Sequence, residues 1–138
     1  MNRILLFSAL LMLVLGCDST PRPAQISGSV TFKGKPIPAG NLTFTPDVET
    51  SGGKLKMLTV KDGRFDSSKE QDPGLPPGKY KVTIAGYDGV QIRMFYQGKQ
   101  IFNAVSEDFV VPDGTTTKDF SVPDSAGQNV KVFETADF

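Results

Sequence analysis

The 138-residue chain contains no histidine and no tryptophan, and it has a single cysteine. Without histidine, a serine nucleophile lacks its usual base and zinc lacks a preferred ligand. One cysteine cannot form an internal disulfide, so apolar packing and strand pairing must hold the fold. The 15 basic and 15 acidic residues balance and form no blocks, which argues against a nucleic-acid partner. The composition therefore favours a protein that is not an enzyme and carries no cofactor or metal.

The residues leave two kinds of site open, a serine–lysine catalytic pair and a calcium site. A serine–lysine pair could be drawn from Ser67, Ser68 and Lys69, although adjacent residues on a polar loop are more often simply solvated. Calcium could use carboxylates, but no segment has the spacing of a calcium-binding loop. Asp62 and Asp113 each precede a glycine, so turn formation explains both.

The N-terminus has the layout of a signal peptide. Residues 4–15 are largely apolar, follow the basic Arg3 and end at the small residue Gly16. A membrane-spanning helix needs about 20 apolar residues, so this run is too short to span a bilayer. We therefore expect an exported protein.

Cys17 is the residue that distinguishes two kinds of export signal. Val14-Leu15-Gly16-Cys17 resembles the lipobox of bacterial lipoproteins. The resemblance implies that residues 1–16 are removed and that Cys17 is acylated. The mature protein would then be anchored to a bacterial membrane on its extracytoplasmic side, with residues 17–24 as a short tether. The alternative is an ordinary signal peptide that leaves one free thiol.

Beyond the tether, short strands alternate with turns. Period-two patterns with Gly, Pro and Asp between them predict one all-β domain over residues 25–123. The best strand places Tyr80, Val82 and Ile84 on one face. Asp-Gly pairs predict one hairpin at residues 61–63 and a second at 112–115. The pattern favours a seven-stranded antiparallel β-sandwich, with 124–138 as a tail that could add an edge strand. The predicted strands are 26–33, 41–45, 55–60, 64–66, 79–87, 106–111 and 117–122.

Three segments also resemble a known family. Residues 26–46, 60–65 and 74–84 read G-x-V-x-x-x-G-K-P-x-P-x-G, D-G-x-F and P-P-G-K-Y-K-V, which is similar to carboxypeptidase regulatory-like domains. The resemblance implies a transthyretin-like (prealbumin-like) Greek-key sandwich and a domain without catalytic residues. Transthyretin-like folds also include a hydroxyisourate hydrolase, but that enzyme relies on histidines, which this chain lacks.

Residues 88–105 match no motif and are the expected location of a functional surface. Val90, Ile92, Met94 and Tyr96 alternate, which predicts an extra strand or an ordered excursion. If the stretch is a strand, neighbouring aromatics point to opposite faces and one of them faces outward. The competing interpretation is that the insertion packs its own small cluster. The predicted binding surface comprises Tyr87, Arg93, Phe95, Tyr96, Lys99 and Phe102.

These observations favour a membrane-anchored, non-enzymatic binding or structural module of the cell envelope. Its expected contacts are other envelope proteins, through an edge strand. The alternative is a lipoprotein that binds a glycan or another small ligand on the surface of residues 87–102.

The lipid anchor makes a direct prediction. Cys17 lies outside every predicted strand, so Cys17→Ser should release the protein from membranes without unfolding the domain. Membrane fractionation after a high-salt wash, with thermal unfolding of the released protein, measures both effects. A variant that still sediments with membranes contradicts the anchor.

Overall fold

The computed structural model describes residues 23–47, 54–72 and 74–130, and regular structure in these ranges is almost entirely β. No helix in the described ranges is long and apolar enough to cross a membrane. Cys17 and the predicted signal peptide lie outside them. The strands are β1 Gln25–Phe32, β2 Lys35–Pro36, β3 Ala39–Pro46, β4 Lys56–Lys61, β5 Arg64–Asp66, β6 Gly78–Tyr87, β7 Val105–Val111, β8 Thr115–Thr117 and β9 Phe120–Val122, with 3-10 turns at Ser67–Lys69 and Asp124–Gly127.

Strand β6 is the centre of the largest antiparallel region, which has the order β4-β3-β6-β7. It pairs with β3 from Tyr80 to Tyr87 and with β7 from Gly78 to Ile84. Because side chains alternate along a strand, Tyr80, Val82 and Ile84 share one face. All three are buried, which confirms their predicted inward orientation.

Strand β5 connects this region to β1 and curls the sheet. It pairs with β4 at Lys61 and Arg64, and with β1 from Arg64 to Asp66. The turn residues Asp62 and Gly63 have φ of 49° and 71°, as a two-residue hairpin turn of type I′ requires. The hairpin predicted from Asp-Gly at this position is confirmed.

The last two strands overturn the prediction of an entirely antiparallel sheet. Strands β8 and β9 both pair with β1 in parallel, one beside its beginning and the other beside its end. The second predicted hairpin, at residues 112–115, is therefore wrong. The strand before this turn pairs with β6 and the strand after it pairs with β1. The turn residues correctly mark a bend, but they carry no information about the partner of each strand.

Close backbone packing stabilises the parallel arrangement. The Lys118 N–H donates to the Ser27 carbonyl at 2.9 Å. A Cβ at Gly28 would lie 1.9 Å from the Lys118 carbonyl oxygen, so only glycine fits there. The Asp119 carboxylate accepts the Ser29 hydroxyl at 2.7 Å, ninety residues away in the chain. These contacts bind the end of the domain to its first strand.

The core is a cluster of buried aliphatic and aromatic side chains inside the curled sheet. Phe44 and Tyr80 meet edge to face at 6.0 Å, and the Tyr80 hydroxyl donates to the Pro76 carbonyl at 2.7 Å. Lys118, between β8 and β9, forms an ion pair with Glu107 of β7 at 3.1 Å. The buried apolar residues are Ala24, Ile26, Val30, Ile37, Leu42, Phe44, Leu58, Val60, Phe65, Leu75, Tyr80, Val82, Ile84, Phe102, Val111, Phe120, Val122 and Ala126.

The two ends of β6 define two poles of the domain. At its beginning lies the entry pole, where Ala24 exchanges backbone hydrogen bonds with Leu75 at 2.7 and 2.8 Å. At its end lies the far pole, where Tyr87 is opposite Ala39. Strand β1 runs from the entry pole to the far pole, where Phe32 packs on Phe102. A ten-residue strand rises about 3.3 Å per residue, so the poles are about 30 Å apart.

Both ends of the described domain are packed. Ala24, the last residue of the predicted tether, is fully buried. The 3-10 turn at Asp124–Gly127 is held at the far pole, where the Asn103 N–H donates to the Ala126 carbonyl at 2.8 Å. In the segment that could add an edge strand, the described residues Asn129 and Val130 form no strand, and the rest lies outside the described residues.

The central position of β6 predicts the effect of truncation. We expect Tyr80→Ala and Val82→Ala each to lower the free energy of unfolding by about 2–4 kcal/mol, because each leaves a cavity in the core. Lys81→Ala, between them but exposed, should change it by less than about 0.5 kcal/mol. Urea denaturation of the three variants measures these differences. Equal stabilities would show that β6 is not central.

Candidate functional site

The unmatched segment after β6 forms a hairpin at the far pole. Its two arms are joined where Ile101 donates to the Gly86 carbonyl at 3.0 Å and Asp88 donates to the Lys99 carbonyl at 2.9 Å. Of the two arrangements that we predicted, the ordered excursion is confirmed and a regular extra strand is not. We refer to residues 86–101 as the far-pole hairpin and to residues 90–96 as its tip.

Asp88 fixes the shape of the hairpin from inside. Its Oδ1 accepts the backbone N–H of Val90 at 2.9 Å and that of Lys99 at 3.0 Å, so one carboxylate joins both arms. Gly98 makes room for it. Its φ is 87°, and a Cβ there would lie 1.9 Å from Asp88 Oδ1 and 2.7 Å from the Val90 backbone. The aspartate and the glycine therefore form one structural unit.

A pair of side-chain amides fixes the hairpin to the sheet. The Asn41 amide donates to Gln97 at 3.0 Å, and the Gln97 amide donates back to Asn41 at 3.1 Å. Asn41 lies on β3 and faces away from the core. Reciprocal amide bonds set both distance and orientation, so the hairpin is held against the outer face of β3.

The tip is apolar and exposed to solvent. A two-residue turn of Arg93 and Met94 joins Ile92 to Phe95, and Ile92 and Phe95 exchange backbone hydrogen bonds at 2.8 and 3.2 Å. The exposed fractions at the tip are 59% for Val90, 37% for Ile92, 85% for Met94, 50% for Phe95 and 78% for Tyr96. Contiguous exposed apolar side chains on an ordered scaffold are typical of an interaction surface.

Five of the six predicted surface residues lie on this hairpin. Arg93, Phe95, Tyr96 and Lys99 are exposed, and Tyr87 is half-buried. Phe95 and Tyr96 are both exposed because they lie beside a turn, so the expectation of opposite strand faces does not apply. None of the five apolar tip side chains is among the buried core residues of the described ranges.

Phe102 does not belong to the surface, and including it was wrong. It is completely buried, and its ring lies 4.9 Å from that of Phe32. A Cβ on Gly86 would lie 2.3 Å from this ring, so the start of the hairpin depends on it. Phe102 is the core residue on which the returning arm of the hairpin rests.

Sequence reasoning omitted Val90, Ile92 and Met94 from the surface. Their alternation resembles the inward face of a strand, which is the usual meaning of such a pattern. The available contrary signal was the concentration of Gly89 and Gly98 around the segment, because paired glycines favour a turn over an extended strand.

The serine and lysine residues considered for catalysis have structural roles. The buried Ser67 hydroxyl accepts the Ile26 N–H at 2.9 Å. The Ser68 hydroxyl donates to Asp66 at 2.6 Å, and this bond together with the Ser68 backbone N–H lowers the pKa of Asp66. Lys69 lies 3.9 Å from the same carboxylate. These contacts hold the 3-10 turn after β5.

An open groove of about 1020 Å³ lies over β1, β4 and β5. Three of its four carboxylates, those of Asp66, Glu70 and Asp119, accept hydrogen bonds within the fold. The Ser29 hydroxyl and backbone N–H donate to Asp119 and lower the pKa of that carboxyl. Glu70 accepts the Thr59 N–H at 2.9 Å. Within the described ranges no three acidic side chains are grouped as metal ligands would be.

Comparison with known proteins adds little to this description. No protein-family model matches the chain, and no curated protein matches it. Among solved structures it is similar to a DUF3823 family protein from Parabacteroides merdae, with 18% sequence identity and a TM-score of 0.41. The match covers 71% of this chain and 44% of that one, so the aligned part is less than half of the neighbour.

The role of Gly98 can be tested with a matched pair of substitutions. Gly98→Ala and Gly114→Ala both place a side chain at positive φ, which costs about 1–2 kcal/mol. A Cβ on Gly114 meets nothing within 4 Å, whereas one on Gly98 meets Asp88. We expect Gly98→Ala to be the more destabilising and to speed amide hydrogen exchange at Val90 and Lys99. Equal effects of both substitutions on stability and exchange would contradict this account.

Proposed function

We propose that this protein is a lipid-anchored, non-enzymatic binding module of the bacterial cell envelope. It is held to the membrane through Cys17, seven residues before Ala24 in the chain, and contacts another envelope protein through the tip of the far-pole hairpin. The observation that carries the proposal is the exposed apolar tip on a hairpin fixed by Asp88, Gly98 and the Asn41–Gln97 pair.

The geometry of the two poles supports a partner away from the anchoring membrane. The chain enters the domain at Ala24, and the hairpin lies at the opposite pole, about 30 Å away. Residues 18–24 reach about 25 Å when extended. If the domain were inverted, a longer tether would be needed to bring its tip to the anchoring membrane. This geometry favours a partner in the extracytoplasmic space over contact with that membrane.

The residue types at the tip favour a protein as that partner. Methionine, aromatic residues and arginine are enriched in protein interfaces, and the tip carries Met94, Phe95, Tyr96 and Arg93. The fixed hairpin also reduces the entropy lost on binding. Edge-strand pairing has weaker support. Outer strand β7 exposes one large apolar side chain, Val110, and β4 exposes Met57, whereas the tip exposes five.

Glycan binding is the second candidate, because two aromatic side chains are exposed. A sugar site needs polar groups beside the rings to bind hydroxyls. Beneath the tip, Asn41 and Gln97 bind each other and Asp88 Oδ1 binds two backbone amides, so the exposed side chains of Gln91, Arg93 and Lys99 are the polar groups left to bind hydroxyls. The glycan proposal has less support because apolar side chains make up most of the tip.

The transthyretin-like, carboxypeptidase regulatory-like assignment is also part of the proposal. Supporting it, Gly34 and Gly63 of the shared motifs have positive φ in turns, and Tyr80 of the P-P-G-K-Y motif is a core residue. In such a domain we expect a binding role rather than a catalytic one.

Site-specific photo-crosslinking tests the function. A photoreactive residue is placed at Met94 or Tyr96 of the full-length protein, and intact cells are irradiated. We expect a discrete protein adduct from each position, identified by mass spectrometry. The control position is Val110, which is 61% exposed and lies near the entry pole.

The mass of the adduct distinguishes the outcomes. A protein adduct from both tip positions and none from Val110 supports the proposal. A lipid- or glycan-sized adduct from the tip contradicts a protein partner. Equal adducts from all three positions, or none from the tip, would also overturn it.

A further inference from the structure

The far pole carries an excess of positive charge. Its described residues, 32–39, 61–63, 86–103 and 122–130, contain five basic and three acidic side chains, a net charge of +2. The chain as a whole has a formal net charge of zero. The basic side chains, all exposed, are Lys33, Lys35, Lys61, Arg93 and Lys99.

These basic side chains are not neutralised by ion pairs. In the part of the chain that the structure describes, the ion pairs are Lys56–Asp72, Lys69–Asp66 and Lys118–Glu107, all outside the far pole. The nearest acid to the tip, Asp88, directs Oδ1 to the two backbone N–H groups inside the hairpin. The charge at this pole is thus left for solvent or a partner.

The basic residues lie on the hairpin and at the same pole of the domain. Arg93 lies at the apex of the tip with φ of 47°, and Lys99 lies on the returning arm. Lys61 is opposite Ala39, at the end of the same strands that carry the Asn41 contact. Lys33 lies above the Phe32 ring, with its Nζ 5.3 Å from the ring centre. An apolar projection with basic side chains on and beside it is complementary to an apolar patch that has an acidic rim.

We propose that the tip packs on an apolar patch of a partner protein, that acidic side chains form the rim of that patch, and that Arg93 and Lys99 of this chain face those acidic side chains. This inference rests on the proposed function and adds the chemistry of the partner. Rim charges act mainly on association, because complementary fields steer the encounter and are screened by salt.

The test uses charge reversal and salt in isolated envelopes. The full-length protein carries the photoreactive residue at Tyr96, combined with Arg93→Glu or Lys99→Glu. Lys79→Glu is the matched control, since it makes the same charge change on an exposed lysine near the entry pole. Thermal unfolding of each variant confirms that the domain is folded. The full-length protein is mixed briefly with the isolated envelopes before irradiation, so that the adduct yield reports the rate of association.

We expect Arg93→Glu and Lys99→Glu each to lower the adduct yield about fivefold or more, and Lys79→Glu to leave it within about twofold. Salt should lower the unsubstituted protein's yield several-fold, because the Debye length falls from about 10 Å at 0.1 M to about 3 Å at 1 M. The identified partner should lose the adduct when acidic residues around the crosslinked site are neutralised.

Failure of this inference differs from failure of the proposed function. A protein adduct that is insensitive to both charge reversals and to salt overturns the acidic rim and leaves the protein contact intact. Absence of any protein adduct from Tyr96 overturns both. A salt-sensitive adduct of lipid or glycan size shows that the basic side chains of the far pole bind an anionic membrane or polymer instead.

Discussion

The continuous pairing of β6 is the constraint on which the rest of this domain depends. The strand is bonded on both sides, contributes Tyr80, Val82 and Ile84 to the core, and joins the two poles. Its first residues lie beside the segment where the chain enters, and its last residues lead into the far-pole hairpin. Because a strand of this length is rigid, the separation of Ala24 from the far-pole hairpin is a property of the fold itself.

The hairpin shows how a surface can be both apolar and ordered. Segments with exposed hydrophobic side chains usually collapse onto the protein. Here one carboxylate, one glycine and one amide pair hold the backbone of the hairpin in place. Asp88 satisfies an N–H on each arm, and Gly98 leaves the space that this requires. The polar groups beneath the tip are used for structure, and the tip itself exposes five apolar side chains beside Arg93. In the proposed contact, specificity depends on shape and on the surrounding charge.

The sequence allowed local features to be predicted better than long-range ones. The alternation of Tyr80, Val82 and Ile84 and the Asp62–Gly63 turn were sufficient, because period and turn chemistry are encoded in adjacent residues. The parallel pairing of β8 and β9 with β1 was missed, because no local signal near residues 112–115 indicates which strand pairs with the segment that follows the turn. Phe102 was misplaced for a related reason. An aromatic next to a surface segment looks like part of it, until the packing with Phe32 and Gly86 shows that it is a core residue.

The parallel pairing of β1 with the last strands has a consequence for biogenesis. The first strand of the domain finds two of its partners about ninety residues later, as the Ser29–Asp119 bond shows. Closing so long a loop is slow, and it requires both segments to be present in one compartment. A chain that emerges N-terminus first cannot complete its sheet until almost all of the domain has emerged. During that interval β1 is an open edge, which exposes the nascent protein to incorrect strand pairing.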